Sequence, residues 1–127
     1  MTHILLIEPD LLLARNYYDA LKTAGYIVTA VPSAQAAILA ADGAKPDVVV
    51  MELQLVGHSG IEFLYEFRSY PDWQNVPLII HTHVPPSEFA GARDLLMKEL
   101  GAHTYLYKPH TSLKKLLGTI REALPVE

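Results

Sequence analysis

The stretch Pro46-Asp47-Val48-Val49-Val50-Met51-Glu52-Leu53-Gln54-Leu55-Val56-Gly57-His58-Ser59-Gly60 decides the fold. Four successive apolar residues, Val48 to Met51, leave no polar face, as expected of a strand covered on both sides. Strands of that kind belong to parallel sheets, whose crossover helices lie over both faces. The run stops at the carboxylate of Glu52. A helix-period segment then opens at Gly60 and is ended by Pro71.

Outward from this strand the same alternation repeats. Short β-rich runs occupy residues 4–7, 26–30, 78–80 and 104–107. Between them, Leu13, Tyr17, Ala20, Leu21 and Ala24 recur at helical spacing, and Gly25 supplies a stop. Ser33 is placed to cap an alanine-rich helix running to about Ala41. A fourth helix is predicted from Pro86-Ser87, with Ser87 as its candidate cap, to Gly101, and a last one from Thr111 to Ala123. Five strand-then-helix repeats predict a three-layer α/β/α domain with a doubly wound parallel sheet. Right-handed crossovers favour the flavodoxin-like strand order 2-1-3-4-5. Residues 1–127 are read as one domain, with no output domain expected after the last helix.

Bulk properties narrow the function. The 127 residues are 50% apolar, enough for one core, and the net charge of -4 comes from scattered acids. Without a basic run, a nucleic-acid partner is not expected. The absence of cysteine excludes disulfides and thiol chemistry. No apolar stretch approaches the ~18 residues of a membrane span, so no membrane partner is expected and a cytoplasmic location is the default.

Ligands of doubly wound sheets bind beyond the carboxyl ends of the strands, at the switch point between strands one and three. Those ends carry Glu8-Pro9-Asp10, Glu52, Thr82-His83 and Lys108-Pro109. Carboxylates beside a lysine can hold a hard cation or set a nucleophile against a phosphate clamp. They can equally form an ion-pair network with no chemistry, which spacing alone favours. Asp10, just before Leu11-Leu12-Leu13, reads as the cap of the first helix more readily than as a replacement metal ligand.

The segments HILLIEPD, PDVVVMELQLVGHSG, VPLIIHT and GAHTYLYKP together resemble the receiver domain of bacterial response regulators, along the whole chain. The resemblance places Glu52 at the phosphoacceptor position, where the family has aspartate. It places Glu8 and Pro9 at the paired acidic positions, so that Pro9 stands in for a direct magnesium ligand. Thr82 and Tyr105 fall on the switch relay, in which the hydroxyl turns toward the phosphoryl group and the ring follows inward. Lys108 falls on the residue that binds a phosphoryl oxygen, and Pro109 on a proline that follows a cis peptide bond. Val56 stands where the family has a proline.

The departures carry the functional expectation. Glutamate reaches one methylene too far, and misplacing a reacting group by about 1 Å can cost on the order of a hundredfold. Proline has no side-chain oxygen to offer a metal. The chain is therefore expected to be a pseudo-receiver: non-enzymatic, without cofactor, its magnesium binding weak or lost, acting in two-component-type signalling by binding a protein. A fixed scaffold is favoured over permanent mimicry of phosphate by Glu52. The alternative is a working receiver with weak magnesium-dependent phosphorylation. A small flavodoxin-like enzyme or nucleotide binder is disfavoured, because Pro9-Asp10-Leu11 replaces any glycine-rich phosphate loop. Receiver domains commonly bind or dimerise through the face of the fourth helix, fifth strand and fifth helix, which here offers Arg93, Leu96, Met97, Tyr105, Lys114 and Arg121. A monomer or weak homodimer is expected. Trp73 is the expected exposed anchor of its loop. Tyr17 and Phe63 read as core, Tyr18 and Phe67 as partly exposed. A zinc site from His58, His81, His83 and His110 is a minor alternative, since these residues lack metal-ligand spacing.

Overall fold

The Val48–Met51 run forms β3 at the centre of a five-stranded parallel sheet. The computed structural model describes residues 1–57 and 59–125. The strands are β1 (His3–Ile7), β2 (Ile27–Val31), β3, β4 (Leu78–Thr82) and β5 (Ala102–Tyr107). They lie in the order β2-β1-β3-β4-β5, as the crossover argument predicts. Ile4 pairs with both Val28 and Val48, and Ile80 with Tyr105; β4 and β5 slip register between Leu78 and Ile79.

Side-chain alternation along the strands divides the core in two. Ile4, Leu6, Val48, Val50 and Ile79 face α1 (Leu11–Thr23) and α4 (Leu113–Ala123), meeting Leu21, Leu116 and Ile120. Leu5, Ile7, Val49, Met51 and Ile80 face α2 (Ala34–Gly43) and α3 (Gly60–Ser69), meeting Ala37, Phe63 and Phe67. At about 1.5–3 kcal/mol per buried aliphatic side chain, these two layers are the main source of stability.

The helices start where polar caps stand. Asp10 accepts from the backbone N–H of Leu12 and Leu13 at 3.0 and 3.1 Å, and Ser33 from Ala36 at 3.2 Å. Ser59 and Ser112 cap α3 and α4, so the last helix opens two residues after the predicted Thr111. Gly25 follows α1 with φ +101°, a turn conformation that a Cβ would disfavour.

The predicted fourth helix is corrected. Residues 86–101 hold a 3₁₀ stretch, Pro86–Ala92, then a π-helical turn, Leu95–Glu99. Phe89 leaves helical geometry at φ -111°, ψ 16°. Pro85 occupies the N-terminal cap position and offers no capping side chain, so Ser87 does not cap. Adjacent prolines and Gly91 in so short a segment weaken regular α-helix. Two further expectations fail. Phe67 is fully buried, and Trp73 is buried at 5% exposure, in a turn (Pro71–Trp73) where it stacks on Phe67 with ring centroids 5.0 Å apart. Arg68 pins that turn by donating to the carbonyl oxygens of Trp73 at 2.7 Å and Leu100 at 2.9 Å. Trp73 is thus a core residue and not a surface anchor.

Candidate functional site

Three strand ends converge on one carboxylate. Glu52, directly after β3, is 1% exposed and accepts from every side. Its Oε1 takes hydrogen bonds from Lys108 Nζ at 2.8 Å, His83 Nδ1 at 2.7 Å and the His83 backbone N–H at 3.2 Å. Its Oε2 takes them from the Leu53 N–H at 2.6 Å, the Gln54 N–H at 3.1 Å and the Thr82 hydroxyl. A carboxylate only accepts, so Nδ1 of His83 carries a hydrogen here. The extra methylene lets Glu52 curl onto the first backbone amides of its own loop. That loop is closed by a bridge between Gln54 and Ser59, and by Gly60, whose N–H donates to the Leu53 carbonyl at 2.7 Å.

Lys108, just beyond β5, joins the site to Glu8 after β1, donating to Glu8 Oε1 as well as to Glu52. Glu8 Oε2 accepts from the Asp10 N–H at 3.2 Å. Burial by itself would raise the Glu52 pKa; the hydrogen bonds from Lys108, Thr82 and Gln54, with the Lys108 charge, outweigh it and hold the carboxyl at about 2. For Lys108 burial pulls down, and the bonds to Glu52 and Glu8 raise its pKa regardless. Both groups are ionised at neutral pH.

A second chain of bonds leads away from Glu52. Thr82 Oγ1 donates to Glu52 and accepts from the Val84 N–H at 3.1 Å, and the Val84 carbonyl accepts from the Tyr105 hydroxyl at 2.8 Å. Burial and the charges of Glu52 and Glu88 push the Tyr105 phenol up to about 12, so it stays a donor.

The structure therefore brings together Glu8, Glu52, Thr82 and Lys108, with Tyr105 one relay removed. It does not bring in Asp10, whose carboxylate caps α1 at the surface and leaves only its backbone N–H in the pocket. Pro9 adds no side-chain oxygen. Among the described residues no group of three His, Cys, Asp or Glu side chains is arranged to hold a metal. His81 is buried edge-on to Tyr17, 4.9 Å between centroids, and burial with the Lys108 charge drops its pKa to about 4 despite Glu52. His58 lies outside the described residues. The expectation of a cis bond before Pro109 is corrected: no described peptide bond is cis. Pro109 instead sits in a 3₁₀ turn (Lys108–His110), closed by the Thr111 N–H on the Lys108 carbonyl at 3.1 Å, where its fixed φ fits a trans chain.

Sequence reasoning anticipated Lys108 as an ion-pair partner of the carboxylates. It missed the Leu53 and Gln54 amides, and the bond from Tyr105 to Val84; backbone donors leave no trace in residue identity. On the expected partner face, Arg93, Met97 and Tyr105 line one cleft, Leu96 is buried in it, and Lys114 and Arg121 stand exposed on α4 outside it. No described helix is long and apolar enough to cross a membrane.

Comparison with known proteins follows the same lines. The model of the response regulator receiver domain family matches residues 4–121. The KDP operon transcriptional regulatory protein KdpE of Escherichia coli is 31% identical over 125 residues, covering 98% of this chain and 52% of its own length. The sensory transduction protein RegX3 of Mycobacterium tuberculosis is 33% identical over 124 residues, covering 98% of this chain and 51% of that one. The chain thus spans about half the length of these curated relatives. The chemotaxis response regulator CheY4 of Vibrio cholerae shares the fold with a TM-score of 0.85 at 22% identity, covering 98% of this chain and 99% of that one.

Proposed function

The chain belongs to the response regulator receiver domain family, and from that premise we propose that this member signals without being phosphorylated, as a protein-binding module whose switch residues are held in place by Glu52. The observation that carries this reading is the saturated carboxylate. Both oxygens of Glu52 accept three donors each, from Leu53, Gln54 and Thr82 on one side and from His83 (twice) and Lys108 on the other. A nucleophile needs a lone pair directed at phosphorus, and here each is directed at a hydrogen. The lysine that would clamp a phosphoryl oxygen already holds Glu8 and Glu52. Pro9 withholds the oxygen that would help a magnesium ion neutralise the incoming phosphate.

These donors are the kind a phosphoryl group would use, which makes Glu52 a built-in substitute for it. The substitution is partial, since a carboxylate carries one negative charge against about -1.5 to -2 for a phosphate monoester. It nevertheless engages Thr82, and through Val84 it reaches Tyr105. This favours a permanently engaged relay over the unswitched scaffold that the sequence suggested. The module is non-enzymatic, needs no cofactor, and works in two-component-type signalling through the face around Tyr105. Incubation with magnesium and acetyl phosphate, followed by intact-mass measurement, tests it. An unchanged mass is expected; gain of a phosphoryl group that Glu52→Gln abolishes would overturn the proposal.

A further inference from the structure

The broken segment before β5 borders an open cleft. Between Pro86–Ala92, the π-helical turn Leu95–Glu99 and β5 lies a cleft of about 540 Å³. That is within the roughly 300–1,000 Å³ range of small-molecule sites. Its walls are Phe89, Leu96, Met97 and the ring of Tyr105, with Arg93 and His103 among the polar residues of its rim. π-Helical turns inside helical segments occur frequently at functional sites.

Three features make this a built cavity. Tyr105 is fixed as a wall because its hydroxyl is held by the Val84 carbonyl at 2.8 Å, and β5 holds its backbone in register with Ile80. The opposite wall is set by Leu96, which is 1% exposed and anchored in the core. The rim has one sign: no acidic side chain lines the cleft, although Glu88 and Asp94 lie on the same segment. Among the described residues no carboxylate pairs with the Arg93 guanidinium. An aromatic and aliphatic slot beside an unpaired guanidinium suits a flat apolar body with one anionic group.

We propose that this cleft is a binding site for a small planar aromatic carboxylate, seated on Tyr105, Phe89 and Met97 with its charge toward Arg93. The proposal shares the position of Tyr105 with the relay from Glu52, and does not depend on whether Glu52 takes phosphate. An amide NMR titration of the whole chain with 2-naphthoate, 2-naphthalenemethanol and 2-naphthylmethylamine tests it. A bare fragment of this size is expected to bind with a dissociation constant of about 1 mM. Saturating shifts are expected at Phe89, Leu96, Met97 and Tyr105. The carboxylate should bind most tightly and the ammonium least. Arg93→Gln, an exposed change, should weaken 2-naphthoate roughly fivefold and leave the neutral alcohol unchanged. Equal binding of carboxylate and ammonium would overturn the ligand class. Absence of saturating shifts at these residues with all three probes would overturn the site, leaving the face to protein contacts alone.

Discussion

Replacing Glu52 by glutamine changes one oxygen to an NH₂ group and removes one charge, with almost no change in shape. Either orientation of the amide sets its nitrogen against donors: Leu53, Gln54 and Thr82 on one side, or His83 and Lys108 on the other. The magnitude follows from proton linkage. The carboxyl is lowered from 4.5 to about 2, and at 1.36 kcal/mol per unit this is a contribution of about 3 kcal/mol. Breaking a buried ion pair gives a similar cost, about 3–5 kcal/mol, reduced here because Lys108 keeps Glu8. The sign is that of a depressed acid: the contribution is complete above the unfolded value near 4.5 and is lost as pH falls through about 2. Urea unfolding of both proteins, followed by the single tryptophan, Trp73, measures it. At pH 7 the glutamine variant should be less stable by about 3 kcal/mol, a midpoint shift of roughly 1–3 M. The gap should close progressively between pH 4.5 and 2. A gap below about 1 kcal/mol at pH 7, or one that persists unchanged to low pH, would refute the assignment of Glu52 as the saturated centre of the site.

Three further outcomes are expected. Gly60→Ala places a Cβ 2.7 Å from Leu53 Cα and 2.8 Å from its carbonyl oxygen, and should cost about 1–3 kcal/mol by urea unfolding. Gly43→Ala, at the end of α2 with nothing within 4 Å, serves as the control and should not destabilise. Tyr105→Phe removes the bond to Val84 and should cost about 1 kcal/mol, with faster amide exchange in the loop after β4. Pro9→Asp combined with Glu52→Asp should create magnesium binding at low millimolar concentration by calorimetry, while Glu52→Asp alone should not.

The sheet was legible because its signals are local. Val48–Met51 admits no exposed face, and Asp10, Ser33 and Gly25 mark helix ends by chemistry that acts within a few residues. The errors arise where distant contacts decide. Leu95, Leu96 and Leu100 keep helical spacing, yet Pro85-Pro86 and Gly91 break the segment around them. Trp73 looked exposed because its turn is short and polar. It is buried because Arg68 ties that turn to Leu100, a contact across the fold. At the site, Glu8, Glu52, Thr82 and Lys108 follow from strand order, since each ends a strand. The curl of Glu52 onto its own backbone depends on one methylene and on the loop closed by Gly60. The trans bond before Pro109 follows the general preference of proline, where the family resemblance had suggested otherwise.

The central claim is that Glu52 occupies the place of the phosphoryl group and leaves none for another. It is tested most directly by an amide NMR titration of the intact chain with magnesium, then beryllofluoride as a phosphoryl analogue. The account predicts no saturating change at Glu8, Glu52, Thr82 or Lys108 with either. Shifts there that saturate at low millimolar magnesium and spread to Tyr105 on adding beryllofluoride would contradict it, and would make the chain a working switch.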